Sequence, residues 1–133
     1  MRLVVAIGLL ALSVTAAAQQ SSSPWVYLSQ GTSRGTVAVQ DELYDGAPSA
    51  SIPARPSAQG VQVTAKAFRI RAWQEAGKSR VAVFAITEVP DSGGKLLERE
   101  TLLGTYLLDA GETANVSGTE KYGAAPVTLG VSR

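Results

Sequence analysis

Four small groups of side chains have types and spacings that chemistry could use. Arg69, Arg71 and Trp73 alternate along the chain. If Phe68, Ile70 and Ala72 point into a core, these three share the opposite face of one strand. Two guanidinium groups beside an indole can stack a sugar ring or an aromatic group, or bind an acidic partner. The alternative is a plain solvated face, or a tryptophan covered by a neighbouring segment. Glu98 and Glu100 also share a face, being two residues apart. Glycoside hydrolysis needs two carboxyl groups roughly 5–9 Å apart, and positions i and i+2 of a strand lie about 6–7 Å apart. Their setting, Leu-Leu-Glu-Arg-Glu-Thr-Leu-Leu, reads more simply as a strand with a charged outer face. Nothing in it raises a carboxyl pKa as an acid catalyst requires.

Asp41, Glu42 and Asp45 with Gly46 could offer oxygen ligands to calcium, but the spacing is not that of an Asp-x-Asp-x-Asp-Gly loop. Gly31–Thr36 lacks the lysine and following helix of a phosphate-binding loop. Asn115-Val116-Ser117 is a glycosylation sequon that chance accounts for. With neither histidine nor cysteine, the chain cannot build a Ser-His-Asp triad, a Cys-His pair, or a zinc site of His or Cys ligands. Nor can it hold a disulfide. No catalytic residue, cofactor or metal is expected.

Export is read from the start of the chain. Met1-Arg2, an apolar stretch from Leu3 to Val14 and the small residues Ala16-Ala17-Ala18 have the order of a signal peptide over residues 1–18. The stretch is shorter than the ~20 residues of a membrane span. Cleavage would leave residues 19–133, one domain's worth, soluble in the periplasm or outside the cell. Loss of Arg2 leaves eleven Lys and Arg against eleven Asp and Glu. That balance argues against nucleic acid, whose binders carry a basic stripe.

The elements that must position these groups read as strands. Trp25–Leu28 and Thr36–Gln40 flank a turn-rich loop over Ser29–Gly35, as an N-terminal arm or first hairpin spanning 19–40. Residues 41–60 hold Pro48, Pro53 and Pro56 among Ala and Ser, a connector or a strap in which a central strand is forbidden. From Val61 to Ala67 one alternation runs, and from Phe68 to Ala72 another of opposite phase, so a bulge is expected at Ala67-Phe68. A helical reading also fits Ala65, Phe68, Ala72, Trp73 and Ala76. The strand is preferred because Ala76-Gly77-Lys78 precedes another β run, as a hairpin loop does. Arg80–Val89 is apolar on both faces, like a central strand. Pro90–Lys95 turns, Leu96–Leu108 returns with a kink at Gly104, and Thr113–Ser117 and Val127–Val131 close the chain.

Seven or so short strands with regular turns predict an all-β antiparallel β-sandwich, immunoglobulin-like in architecture only, with its core at 61–133. Such a chain suits a non-enzymatic interaction module of the cell envelope, binding another envelope or secreted protein, or itself, through an edge strand. Trp25, Tyr27 and Leu28 are the candidate interaction arm. Carbohydrate or small-ligand binding through Arg69, Arg71 and Trp73 is the alternative, and hydrolysis by paired Glu the third reading.

Overall fold

The alternation of apolar residues becomes two antiparallel sheets packed face to face. The computed structural model describes residues 24–56 and 63–132; the signal-peptide reading of 1–18, and Val61 with it, lie outside them. The described residues form eight strands: β1 Trp25–Gln30, β2 Ser33–Ala38, β3 Ala50–Pro53, β4 Ala67–Glu75, β5 Lys78–Pro90, β6 Leu96–Leu108, β7 Thr113–Asn115 and β8 Thr128–Val131. The first sheet has the order β2-β1-β8-β7 and the second β3-β4-β5-β6. A short 3-10 turn, Thr119–Tyr122, lies between β7 and β8.

Period-two burial assigns the inner faces. Val26, Leu28, Val37, Leu129 and Val131 of the first sheet meet Ile52, Phe68, Ile70, Ala72, Val81, Val83 and Ala85 of the second. Burying each of the larger side chains contributes about 1.5–3 kcal/mol. Buried Gln30 fastens one end of this core. Its Nε2 donates to the carbonyl of Ala125 at 2.7 Å, and its Oε1 accepts from the Arg55 amide at 2.6 Å. Both ends of the buried amide are thereby satisfied.

Residues 24–40 form the hairpin reading of the N-terminal segment, but not a free arm. The loop is the two residues Gly31-Thr32 rather than Ser29–Gly35, since β1 and β2 pair up to Gln30↔Ser33. Moreover β1 is an inner strand, paired with β8 on its other side. The sandwich therefore begins near Trp25, not at residue 61, because Val26 and Leu28 can leave water only between the two sheets. After β2 the chain crosses over: Val39 N–H donates to the Pro24 carbonyl, Gln40 N–H to that of Ala72, and Gln74 N–H to that of Gln40. The 41–60 segment contains β3, an edge strand with Pro53 at its end, where a missing N–H costs no central ladder.

In the second sheet the strand reading of 67–75 holds and the helical one does not. The bulge expected at Ala67-Phe68 is absent, because residues 63–66 are irregular and β4 alternates cleanly from its first residue. A register shift occurs instead between β5 and β6. Val83 faces Gly104 and Phe84 faces Leu102, so Leu103 is the extra residue, close to the kink expected at Gly104.

The β4–β5 turn is Ala76-Gly77, with φ of 53° and 79°. Two positive φ values match the hand of a two-residue hairpin, but Ala76 adopts its conformation against a steric cost of about 1–2 kcal/mol. Ala76→Gly is therefore expected to raise the unfolding free energy by about 0.5–1 kcal/mol. Urea denaturation of the two proteins measures it; an unchanged or lower value would mean that the turn has another conformation.

Candidate interaction surface

The outward face of the second sheet gathers most of the residues singled out above. Directly opposed positions place Arg69 beside Phe84, Arg71 beside Ala82 and Trp73 beside Arg80 across β4–β5. Across β5–β6, Ile86 lies beside Glu100, and Glu88 beside Glu98. The charges interlock over this apolar floor. Glu100 accepts from Arg69 Nη1 through one oxygen and from Arg71 Nη1 through the other, each at 2.9 Å. Lys66 Nζ lies 2.9 Å from Glu98 and 3.4 Å from Glu88, so it separates two carboxylates that face each other in register. The Arg71 guanidinium also lies 5.1 Å from the centre of the Phe84 ring, a cation–π distance.

This geometry bears on the two chemical readings of the face. Hydrogen bonding to Lys66 holds the Glu98 carboxyl below its ordinary range, the opposite of what a general acid needs. Glu100 is engaged on both oxygens by arginines. Arg69 and Arg71 thus meet carboxylates of their own sheet. Trp73 stands apart, half-buried at the other end of β4, where Gln40 bridges it.

Beside Arg71 the 41–47 loop forms a shallow hollow of about 460 Å³, lined by Leu43, Tyr44, Asp45, Gly46, Arg71, Phe84 and Glu100. Leu43 and Tyr44 are half exposed at its rim. Asp41, Glu42 and Asp45 do not converge there: no group of three such ligands fit to hold a metal ion occurs among the described residues.

The other feature of the face is its length. Strands β5 and β6 each have 13 residues, roughly 40 Å at about 3.3 Å per residue. Strand β1, with 6 residues, spans roughly half that. Strand β4 stops pairing at Ala67↔Ile86, and from Thr87↔Arg99 to Pro90↔Leu96 the hairpin runs on as a two-stranded ribbon. Among the described residues it pairs with no third strand, and Thr87 at its root is its one buried position. Leu96 on one face and Leu97 on the other are therefore 57% and 46% exposed, and Leu102 nearer the root is 53% exposed. Strand β6 is also the last in its sheet, so among the described residues its outer backbone edge faces no strand.

The candidate arm residues do not make one apolar patch. Leu28 is buried in the core, and Trp25 is exposed with its backbone N–H donating to Ser132 Oγ. Tyr27 lies across Gly130, where a side chain would collide with its ring, and the Arg34 guanidinium stacks 4.0 Å from the ring centre. The other exposed large apolar residues are Leu43, Tyr44, Val63, Leu96, Leu97 and Leu102. The available signal was length: thirteen-residue strands in a chain whose remaining strands are short must outrun their cover. Compared with family models, curated proteins and solved structures, the chain matches none. No helix of the described residues is long and apolar enough to cross a membrane.

The ion pairs give a pH signature. Lys66 lowers the Glu98 pKa and Arg80 lowers that of Glu75, both from an ordinary 4.5. Each contributes stability that is complete above 4.5 and is lost as pH falls through the lower folded value. Lys66 is raised from 10.5, chiefly by Glu98, so its contribution is complete below 10.5 and is lost as pH rises beyond it. Urea midpoints should hold level between these limits and fall outside them. In Glu98→Gln the fall on both sides should shrink; an unchanged profile would mean that the network is not formed in solution.

Proposed function

We propose that this protein is an exported, non-enzymatic interaction module that binds a partner protein by adding a strand to the free edge of β6. The observation that carries the reading is the projecting ribbon: a long edge strand with leucines exposed on both faces. Two-stranded ribbons without a covering layer are marginal in water, and long apolar edges invite pairing. Backbone hydrogen bonds to an added strand would supply affinity, and the side chains of β6 would select the sequence. Export rests on the leader at residues 1–18, and a partner in the envelope or outside the cell follows from it. The engagement of Glu98 and Glu100 by Lys66, Arg69 and Arg71 supports a non-catalytic role.

A photoreactive amino acid at position 97, introduced in the cells that make the protein, is expected to crosslink the partner. One at position 115, on the short β7 edge, is not. Leu102→Lys should remove most of the product while changing stability by no more than about 0.5 kcal/mol, as an exposed substitution does. Crosslinking from position 115 alone, or unaffected by Leu102→Lys, would overturn the proposal.

The hollow favours a second reading, binding of a carbohydrate or other small ligand. The half-exposed Tyr44 ring and the Phe84–Arg71 stack could cover a sugar face, with Glu100 and Arg71 offering hydrogen bonds. Here Tyr44 and Phe84 take the place first given to Trp73. Chemical shifts of Gly46 and Arg71 that move on titration with saccharides, and stay still in Tyr44→Ala, would support it. Saccharides that shift neither residue would exclude it.

A further inference from the structure

We infer that the β6 edge selects a strand of another protein carrying an acidic residue opposite Arg99, and disfavours a second copy of this chain. The inference rests on the edge-addition reading and specifies its partner.

The side chains of the exposed stretch divide by face. Leu96, Glu98, Glu100 and Leu102 point outward, whereas Leu97, Arg99 and Thr101 point to the side of the core. Glu98 and Glu100 are compensated within the chain by Lys66, Arg69 and Arg71. Arg99 is exposed and in no ion pair among the described residues. It is the charge that an incoming strand would meet uncompensated.

Two copies of β6 joined antiparallel into one continuous sheet are related by a two-fold axis normal to it. That axis keeps each residue on its own face. A contact centred on Glu98 sets it against its own copy. A contact centred on Arg99 opposes two arginines and places Glu98 against Glu100. Centring on Glu100 again opposes like charges. Shifting the centre to Leu97 or Thr101 sets Glu98 against Leu96, or Glu100 against Leu102. Like charges directly opposite on a sheet are destabilising, so the Glu-Arg-Glu stretch works against self-pairing centred on Glu98, Arg99 or Glu100, and the flanking registers set a carboxylate against a leucine instead of burying it.

A foreign strand has no such constraint. Apolar residues opposite Leu96, Leu97 and Leu102, with a carboxylate opposite Arg99, would bury the leucines and compensate the free cation together. Repulsion from the wrong partner and attraction to the right one come from the same residues, the usual basis of specificity.

The test uses two short fluorescent peptides of alternating Val and Thr that differ only in a central Glu or Lys. Binding is read by anisotropy, and the site by amide hydrogen exchange along β6. The Glu peptide is expected to bind about fivefold more tightly than the Lys peptide and to protect the amides of β6. Arg99→Ala should abolish the preference and Arg99→Glu reverse it; because Arg99 is exposed, both variants should remain folded, which circular dichroism checks. Protection of β6 by both peptides with equal affinity would overturn the charge selection and leave edge addition standing. Absence of β6 protection with either peptide would overturn both. A concentration-dependent dimer in light scattering, with β6 protected, would identify a second copy as the occupant and overturn the inference.

Discussion

Val26 and Leu28 of β1 meet Leu129 and Val131 of β8 inside the sandwich, and the two strands pair directly along their length. Trp25 and Ser132, which seal the end of this pairing by hydrogen bonds in both directions, are 107 residues apart in sequence. Every other part of the first sheet depends on that closure. Among the described residues β2 pairs only with β1, and β7 only with β8, so neither pair could cover the second sheet alone. The second sheet, by contrast, is a local meander through β4, β5 and β6. Its inner face has Phe68, Ile70, Val81 and Val83 to bury, and only the pairing of the two chain ends gives them a lid. Closing so long a loop has an entropic cost that grows only logarithmically with length, and the apolar surface buried on both sides offsets it.

The lid is short and the meander long. That mismatch generates the most unusual surface of the molecule. Along β5 the inward side chains Val81, Val83, Ala85 and Thr87 are buried; beyond Thr87 that cover ends, and leucines of β6 stand in solvent on both faces. Lys66 marks the boundary. Its amide donates to the Ile86 carbonyl at 2.8 Å, and its ammonium lies between Glu88 and Glu98, the first carboxylates of the ribbon. Exposed ion pairs contribute little to stability one at a time. Placed here, where β4 begins, they tie the root of the ribbon to the segment that leads into β4.

Fold class was legible in the sequence because period-two alternation survives wherever one face of a strand is buried. Phe68–Ala72 and Val127–Val131 carry it, Val81–Ala85 is apolar on both faces as a central strand is, and the Ala76-Gly77 turn arbitrated between strand and helix. Local pattern failed where a long-range partner decides the outcome. Trp25–Leu28 is equally apolar as a free arm or as an inner strand, and only β8, at the far end of the chain, distinguishes them. Strand β3 was hidden by Pro53 and the flanking Pro48 and Pro56, which rule out a central strand but not an edge. The alternation from Val61 towards Ala67 suggested a strand that residues 63–66 do not form. The shared face of Arg69, Arg71 and Trp73 was readable from spacing. That the arginines are already neutralised was not, because Glu100 reaches them only through the pairing of β6 with β5 and of β5 with β4.

The same neutralisation shapes what the edge would recognise in the proposed strand addition. Had Glu98 and Glu100 been left uncompensated, the ribbon would present net negative charge and attract basic segments of any sequence. Lys66, Arg69 and Arg71 remove that field at short range and leave Arg99 as the charge without a partner. Screening in salt confines its reach to about 8–10 Å, roughly two strand spacings of about 4.8 Å each. Long-range steering therefore gives way to residue-by-residue matching, in which a carboxylate must sit directly opposite Arg99 to matter. The root of the ribbon is held by the sheet and by Lys66, so its backbone edge is already extended before a strand arrives. Less conformational freedom is then lost on association than in ordering a flexible arm, which is the physical advantage of a projecting ribbon over the detached N-terminal hairpin it replaces.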